Sequence, residues 1–148
     1  MDPVSILTTV VAVSRTALAL SSTLYTLVQA TKGVDDTVRA LYNEVTGLNF
    51  TLDALSATIK AVDIDKTRNN EQSLKLWSTV TRALAGCREA VDKLHRALQG
   101  FKKEGSNVAS QAIRSLKLNW KSDQINTLRS HLHSHNTSLQ LGLQIINL

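Results

Sequence analysis

MDPVSILTTVVAVSRTALALSSTLYTLVQATKG, residues 1–33, decides how the rest of the chain is understood. Arg15 is the sole charge between Asp2 and Lys32, so the stretch must cross a membrane, be removed as a leader, or fold into a core. A secretory leader opens on basic residues ahead of its apolar run. Here Asp2 comes first and Arg15 sits mid-run, so cleavage is not expected despite the Ala17-Leu18-Ala19 triplet. Ile6, Val10, Val13, Ala17, Leu20, Leu24 and Leu27 recur at alternating steps of four and three, which lays them along one helix face. Asp2 as N-cap and Pro3 at the first helical position supply a start, and Lys32-Gly33 supplies a basic last turn and a stop.

Working outward, the same spacing appears three more times. Val38, Leu41, Val45, Leu48, Leu52, Leu55, Ile59 and Val62 form a second stripe, with Asp35 and Asp36 where a helix N-terminus favours negative charge. Polar DIDKTRNNEQS, 63–73, ends it. The third stripe is Trp77, Val80, Leu84, Cys87, Val91, Leu94, Leu98 and Phe101, stopping before Gly105. The fourth is Ile125, Leu128, Leu132, His135, Leu139, Gly142 and Ile146. Ahead of it, Ala109, Ile113, Leu116 and Trp120 predict a short extra helical segment that bends near 121–123. No stretch alternates as a strand would. The fold class is therefore all-α, a single domain over 1–148 built as an up-and-down four-helix bundle in which sequence neighbours pack antiparallel. Gly47, Gly86 and Gly142 interrupt helical patterns at a cost of about 1 kcal/mol each, and close helix approach is the expected reason.

Composition agrees with a folded domain: 148 residues, 43% hydrophobic and 20% charged, with one proline and six glycines. Cys87 is the sole cysteine, so no internal disulfide forms, and a cytoplasmic setting is expected. Its place in the third stripe gives it a packing role. The net charge of +5 is uneven, with four Lys/Arg against seven Asp/Glu in 1–65 and thirteen against five in 66–148. These charges are dispersed and read as solvated helix faces, although the basic half would favour an anionic surface.

The usual catalytic constellations are missing. There is no glycine-rich phosphate loop, C-x-x-C, H-E-x-x-H or G-x-S-x-G, so no enzymatic activity and no cofactor is expected. In HLHSH, His131 and His135 share a helix face and would need a third ligand to hold zinc. None stands nearby, so His135 is expected at a bundle end, with His131 and His133 in solvent. Aromatics make up 4% of the chain, too few to interleave with basic residues as a nucleic-acid platform requires.

The first segment is more apolar than a bundle needs, because a second row, Leu7, Val11, Leu18, Tyr25 and Val28, flanks the first. Eleven Leu, Ile and Val between Val4 and Val28 contribute about −3 to −7 kcal/mol toward membrane insertion, which Arg15 and nine Ser/Thr largely offset. Burial in the bundle gains roughly 1.5 to 3 kcal/mol for each large stripe side chain before entropy is subtracted, so a lone monomer keeps the helix inside. A helix apolar over most of its girth is fully buried, docked on a partner, or held in reserve for lipid. Physics alone leaves a central bundle helix and a membrane-active helix equally open.

MDPVS with its apolar helix, LYNEVTGLNFTLDAL, ALAGCREAVDKLHRAL and the ending INTLRSHLHSHNTSLQLGLQIINL together resemble the fungal N-terminal domain of STAND proteins, the HeLo-like group. The resemblance covers nearly the whole chain. It implies a helical bundle that precedes a nucleotide-binding oligomerisation module in fungal immune-type receptors of the NLR kind, acting in cis or in trans. Plant helical cell-death domains and the bundle of the mixed-lineage kinase domain-like pseudokinase belong to the wider class and act at membranes. Carried over, the resemblance implies self-oligomerisation and relocation from cytoplasm to plasma membrane, with Val4, Ile6, Leu7, Val10, Val11, Val13, Arg15, Ala17, Leu18, Leu20, Ser21, Leu24, Tyr25, Leu27 and Val28 as the inserting helix. Lys102, Lys103, Lys117 and Lys121 would touch anionic lipid. Residues 1–32 hold no glycine, and Ala17 and Ser21 are the nearest small pair at a four-residue step. The alternatives are a soluble adaptor that associates through its bundle surface and a basic lipid- or nucleic-acid-binding module.

Overall fold

The computed structural model describes residues 3–30, 36–61, 71–99 and 122–146. These form four helices: α1 (Pro3–Ala30), α2 (Asp36–Ala61), α3 (Glu71–Gln99) and α4 (Ser122–Ile146). Among the described residues there is no strand. Each helix exists because its apolar stripe has somewhere to go. In α1, Ile6, Val10, Ala17, Leu20 and Leu24 are wholly buried, and they meet Leu41, Val45, Leu48, Leu52 and Leu55 of α2, Val80, Leu84, Cys87, Val91 and Leu94 of α3, and Leu132 and Leu139 of α4 in one core.

The neighbours follow from named contacts. Asn49 bonds Ser21 and Ala17 while Tyr42 faces Tyr25, so α1 and α2 run antiparallel. His135 lies over Gly86 and Val80 over Gly142, so α3 and α4 are antiparallel as well. Glu44 meets His133 and Gly47 meets Asn136, two pairs whose numbers rise together, so α2 and α4 run parallel. Around the bundle the order is α1, α2, α4, α3. Directions alternate along the chain as expected. Adjacency does not: α2 and α3 are successive in sequence yet stand diagonally. Nine residues separate Ala61 from Glu71. Their reach of up to about 30 Å exceeds the roughly 14 Å diagonal of helices packed 8–10 Å apart, so chain length does not force those two helices together.

The interior glycines divide. A Cβ on Gly86 would collide with the His135 ring, and one on Gly142 would lie 2.9 Å from the buried Val80 Cγ2. Close approach explains both. A Cβ on Gly47 would meet only Asn136 Nδ2, at an ordinary 3.7 Å, so the expectation of a tight approach there is corrected. The segment expected over 109–120, the Phe101 and Trp120 side chains, Val62, Asp2, Lys32, Gly33 and Asp35 lie outside the described residues.

Replacing Gly47 by alanine is expected to raise stability in urea by about 0.5–1 kcal/mol through helix propensity alone. Gly142→Ala is expected to lower it by about 1–3 kcal/mol because Val80 has no free space to give. Equal effects at the two sites would contradict this packing.

Candidate functional site: the outer face of the first helix

α1 has two apolar faces with different fates. The inner row is buried, Val13 at 1% included. Opposite it, Val4, Val11, Leu18 and Tyr25 stand at seven-residue steps and are 56, 39, 57 and 51% exposed. Between them Thr8, Arg15, Ser22 and Gln29 keep the same step and are also exposed. Of the expected flanking row, Leu7 and Val28 prove to be half-buried against the core, so the row in solvent is Val4, Val11, Leu18 and Tyr25. The Leu27 side chain lies outside the described residues. Tyr25 is partly supported by Tyr42, with ring centroids 6.1 Å apart and planes tilted by 46°.

The threonine hydroxyls of α1 are satisfied within α1. Thr8, Thr9, Thr16, Thr23 and Thr26 each donate a hydroxyl to the carbonyl four residues earlier, at 3.0 to 3.4 Å. A hydroxyl bonded to its own helix loses little when water is withdrawn, which is how Ser and Thr are tolerated in apolar helices. Val4–Thr26 is a span of 23 residues, long and apolar enough to cross a membrane. At 1.5 Å per residue it reaches about 35 Å, against about 30 Å of hydrocarbon. The core helix of a soluble protein and a signal sequence pass the same length and composition test, so the span by itself is weak evidence for a membrane role.

Two polar residues beside the apolar stripes were not legible as structural. Asn49, on the flank of the second stripe, donates Nδ2 to Ser21 Oγ at 2.7 Å and to the Ala17 carbonyl at 3.3 Å. Asn136, 8% exposed, lies between α4 and Gly47. The Oδ1 atoms of both are buried without a hydrogen-bond partner among the described residues. Thr51, also buried, bonds the Gly47 carbonyl. Apolar spacing carries no signal for such positions; only an amide adjoining a seam could have marked them.

The histidines do not converge. His133 Nδ1 sits 2.7 Å from Glu44 Oε1, so it is tied to α2 rather than simply solvated. The His135 ring covers Gly86 midway along α3, not at a bundle end. His131 is exposed and lines a shallow polar hollow with Asn126, Thr127 and Ser130. No group of three His, Cys, Asp or Glu able to hold a metal occurs among the described residues. Lys102, Lys103, Lys117 and Lys121 lie outside them. Cys87 is wholly buried, and burial pushes its thiol up to about 12.

These features define a small all-helical domain with a row of exposed apolar side chains on its N-terminal helix; Phe50 of α2, Leu74 of α3 and Leu141 and Ile145 of α4 are exposed as well. The chain belongs to the pigment biosynthesis cluster protein PigL N-terminal family, whose model matches residues 1–148, a fungal cluster-associated family. Searches of curated proteins and of solved structures return no match.

A thiol reagent is expected to leave Cys87 untouched in the folded protein and to modify it fully in denaturant; rapid native labelling would contradict its burial. A thiol pKa higher in the folded than in the unfolded state adds stability below the unfolded value, and that stability is lost as pH rises toward about 12. Stability is therefore expected to fall from about pH 9 upward more steeply in the parent than in Cys87→Ala.

Proposed function

We propose that the domain is a non-enzymatic signalling module of the cell-death kind, which self-associates on activation and perturbs the plasma membrane through α1. The outer face of α1 carries this reading: four large apolar side chains in water, on a helix whose threonines bond its own backbone. Such a helix exchanges its bundle neighbours for acyl chains at low polar cost, and Arg15 is the one charge it would have to place against water, a phosphate or a second copy. The resemblance to HeLo-like domains of STAND proteins supports the same role in fungal innate immunity, with a receptor module in cis or in trans as activator. In this scheme the protein is cytoplasmic at rest and anionic lipid is its target, with Lys102, Lys103, Lys117 and Lys121 assisting. A bundle of this kind would serve a pigment biosynthesis cluster by signalling rather than by transforming a pigment.

A second reading follows from the seven-residue repeat of Val4, Val11, Leu18 and Tyr25. That row supplies one apolar position in each heptad, with Thr8, Arg15, Ser22 and Gln29 between, and a soluble adaptor would use it to bind another helix.

Dye release from anionic vesicles separates the two. Leu18→Glu and Val11→Glu alter exposed positions, so helicity is expected to survive, while each charge costs about 2.5–3.5 kcal/mol or less in hydrocarbon. Release is expected to slow at least about tenfold. No release by the parent protein, with association lost in both variants, would favour the adaptor.

A further inference from the structure

We infer that Asn49 is a release catch for α1: an α2 amide that holds the helix through Ala17 and Ser21, yet whose own carbonyl oxygen is stranded while the helix stays docked. This rests on the reading that α1 leaves the bundle, and deepens it.

The geometry is one-sided. Nδ2 spends its two protons on Ser21 Oγ, 2.7 Å away, and on the Ala17 carbonyl, 3.3 Å away. Turning the amide over would set Oδ1 against the Ala17 carbonyl, acceptor against acceptor, so the orientation is fixed by its partners. Oδ1 is consequently buried with no partner among the described residues. A buried acceptor left unpaired costs free energy that water repays as soon as it is exposed.

Departure leaves the α1 side of this contact without an unpaired polar group. Ser21 follows Ala17 by four residues, the step at which all five α1 threonines bond their own helix. Once Asn49 is gone, the Ser21 hydroxyl takes the Ala17 carbonyl and no new polar group is exposed on α1. The notch between Ala17 and Ser21 is also the small-residue site at which two such helices could approach closely, and Asn49 fills it in the closed bundle. Asn49 therefore gives register to the docked helix, lowers its hold, and blocks its self-association site.

Amide hydrogen exchange on the full 148-residue chain tests this, with α3 as the internal reference. In Asn49→Leu combined with Ser21→Ala, both partners become apolar and the stranded oxygen disappears, so α1 exchange is expected to slow about tenfold relative to α3. In Asn49→Asp a carboxylate faces the Ala17 carbonyl, and α1 exchange is expected to quicken about tenfold relative to α3. Circular dichroism confirms that each variant is folded. Opposite, α1-selective shifts establish the catch; α1 rates that stay at parental values or move in step with α3 overturn it. Vesicle leakage is read separately. Opposite exchange shifts without leakage from the parent protein leave the catch standing and remove the membrane role.

Discussion

A helix apolar on two faces can bury only one of them in a four-helix bundle, and the rest of this molecule is arranged around that constraint. α1 commits Ile6, Val10, Val13, Ala17, Leu20 and Leu24 to the core and leaves Val4, Val11, Leu18 and Tyr25 in water. The committed face contributes most of what holds α1 in place, since each large buried side chain is worth roughly 1.5 to 3 kcal/mol before conformational entropy is subtracted. The other face is compensated within the bundle only where Tyr25 meets Tyr42. Its retention in a folded domain is the observation that a purely structural role for α1 leaves unexplained, because a polar residue at any of those four positions would serve solubility better.

The interfaces around α1 and α2 are not uniformly apolar. Asn49 enters the α1–α2 seam, while Asn136 and the Glu44–His133 pair occupy the parallel α2–α4 seam. Polar residues in helix seams fix register at some expense of stability. Between α3 and α4, by contrast, Gly86 and Gly142 admit a close approach. The two hairpins, α1 with α2 and α3 with α4, thus differ in character. One is pinned by the Asn49 hydrogen bonds, the other by steric fit at its glycines.

The four stripes were legible because helical burial imposes a period on apolar residues, and the described members of the inner rows of α1, α2 and α3 lie where their spacing put them. In α4 the stripe passes through Asn136 and Leu143 as well as the expected positions, since a straight helix drifts relative to a strict seven-residue step. Ring order was not legible: periodicity says that a face is buried, not against which helix, and α2 and α3 turned out diagonal. Of the three interior glycines, only the partner's bulk separates Gly86 and Gly142 from Gly47, and those partners lie 49 to 89 positions away in sequence. The surplus of apolar residues in α1 was visible from sequence, while its division into half-buried Leu7 and Val28 and exposed Val11, Leu18 and Tyr25 required the neighbouring helices.

Conditional docking of α1 is the central claim, and a distance measurement addresses it most directly. Spin labels at Ser22→Cys on α1 and Glu89→Cys on α3 occupy exposed positions, and buried Cys87 takes no label in the folded protein. With anionic vesicles present at saturating protein binding, the distance distribution is expected to gain a population longer by at least a helix diameter, about 10 Å. A single distribution, the same with and without vesicles to which the protein is bound, would contradict the account.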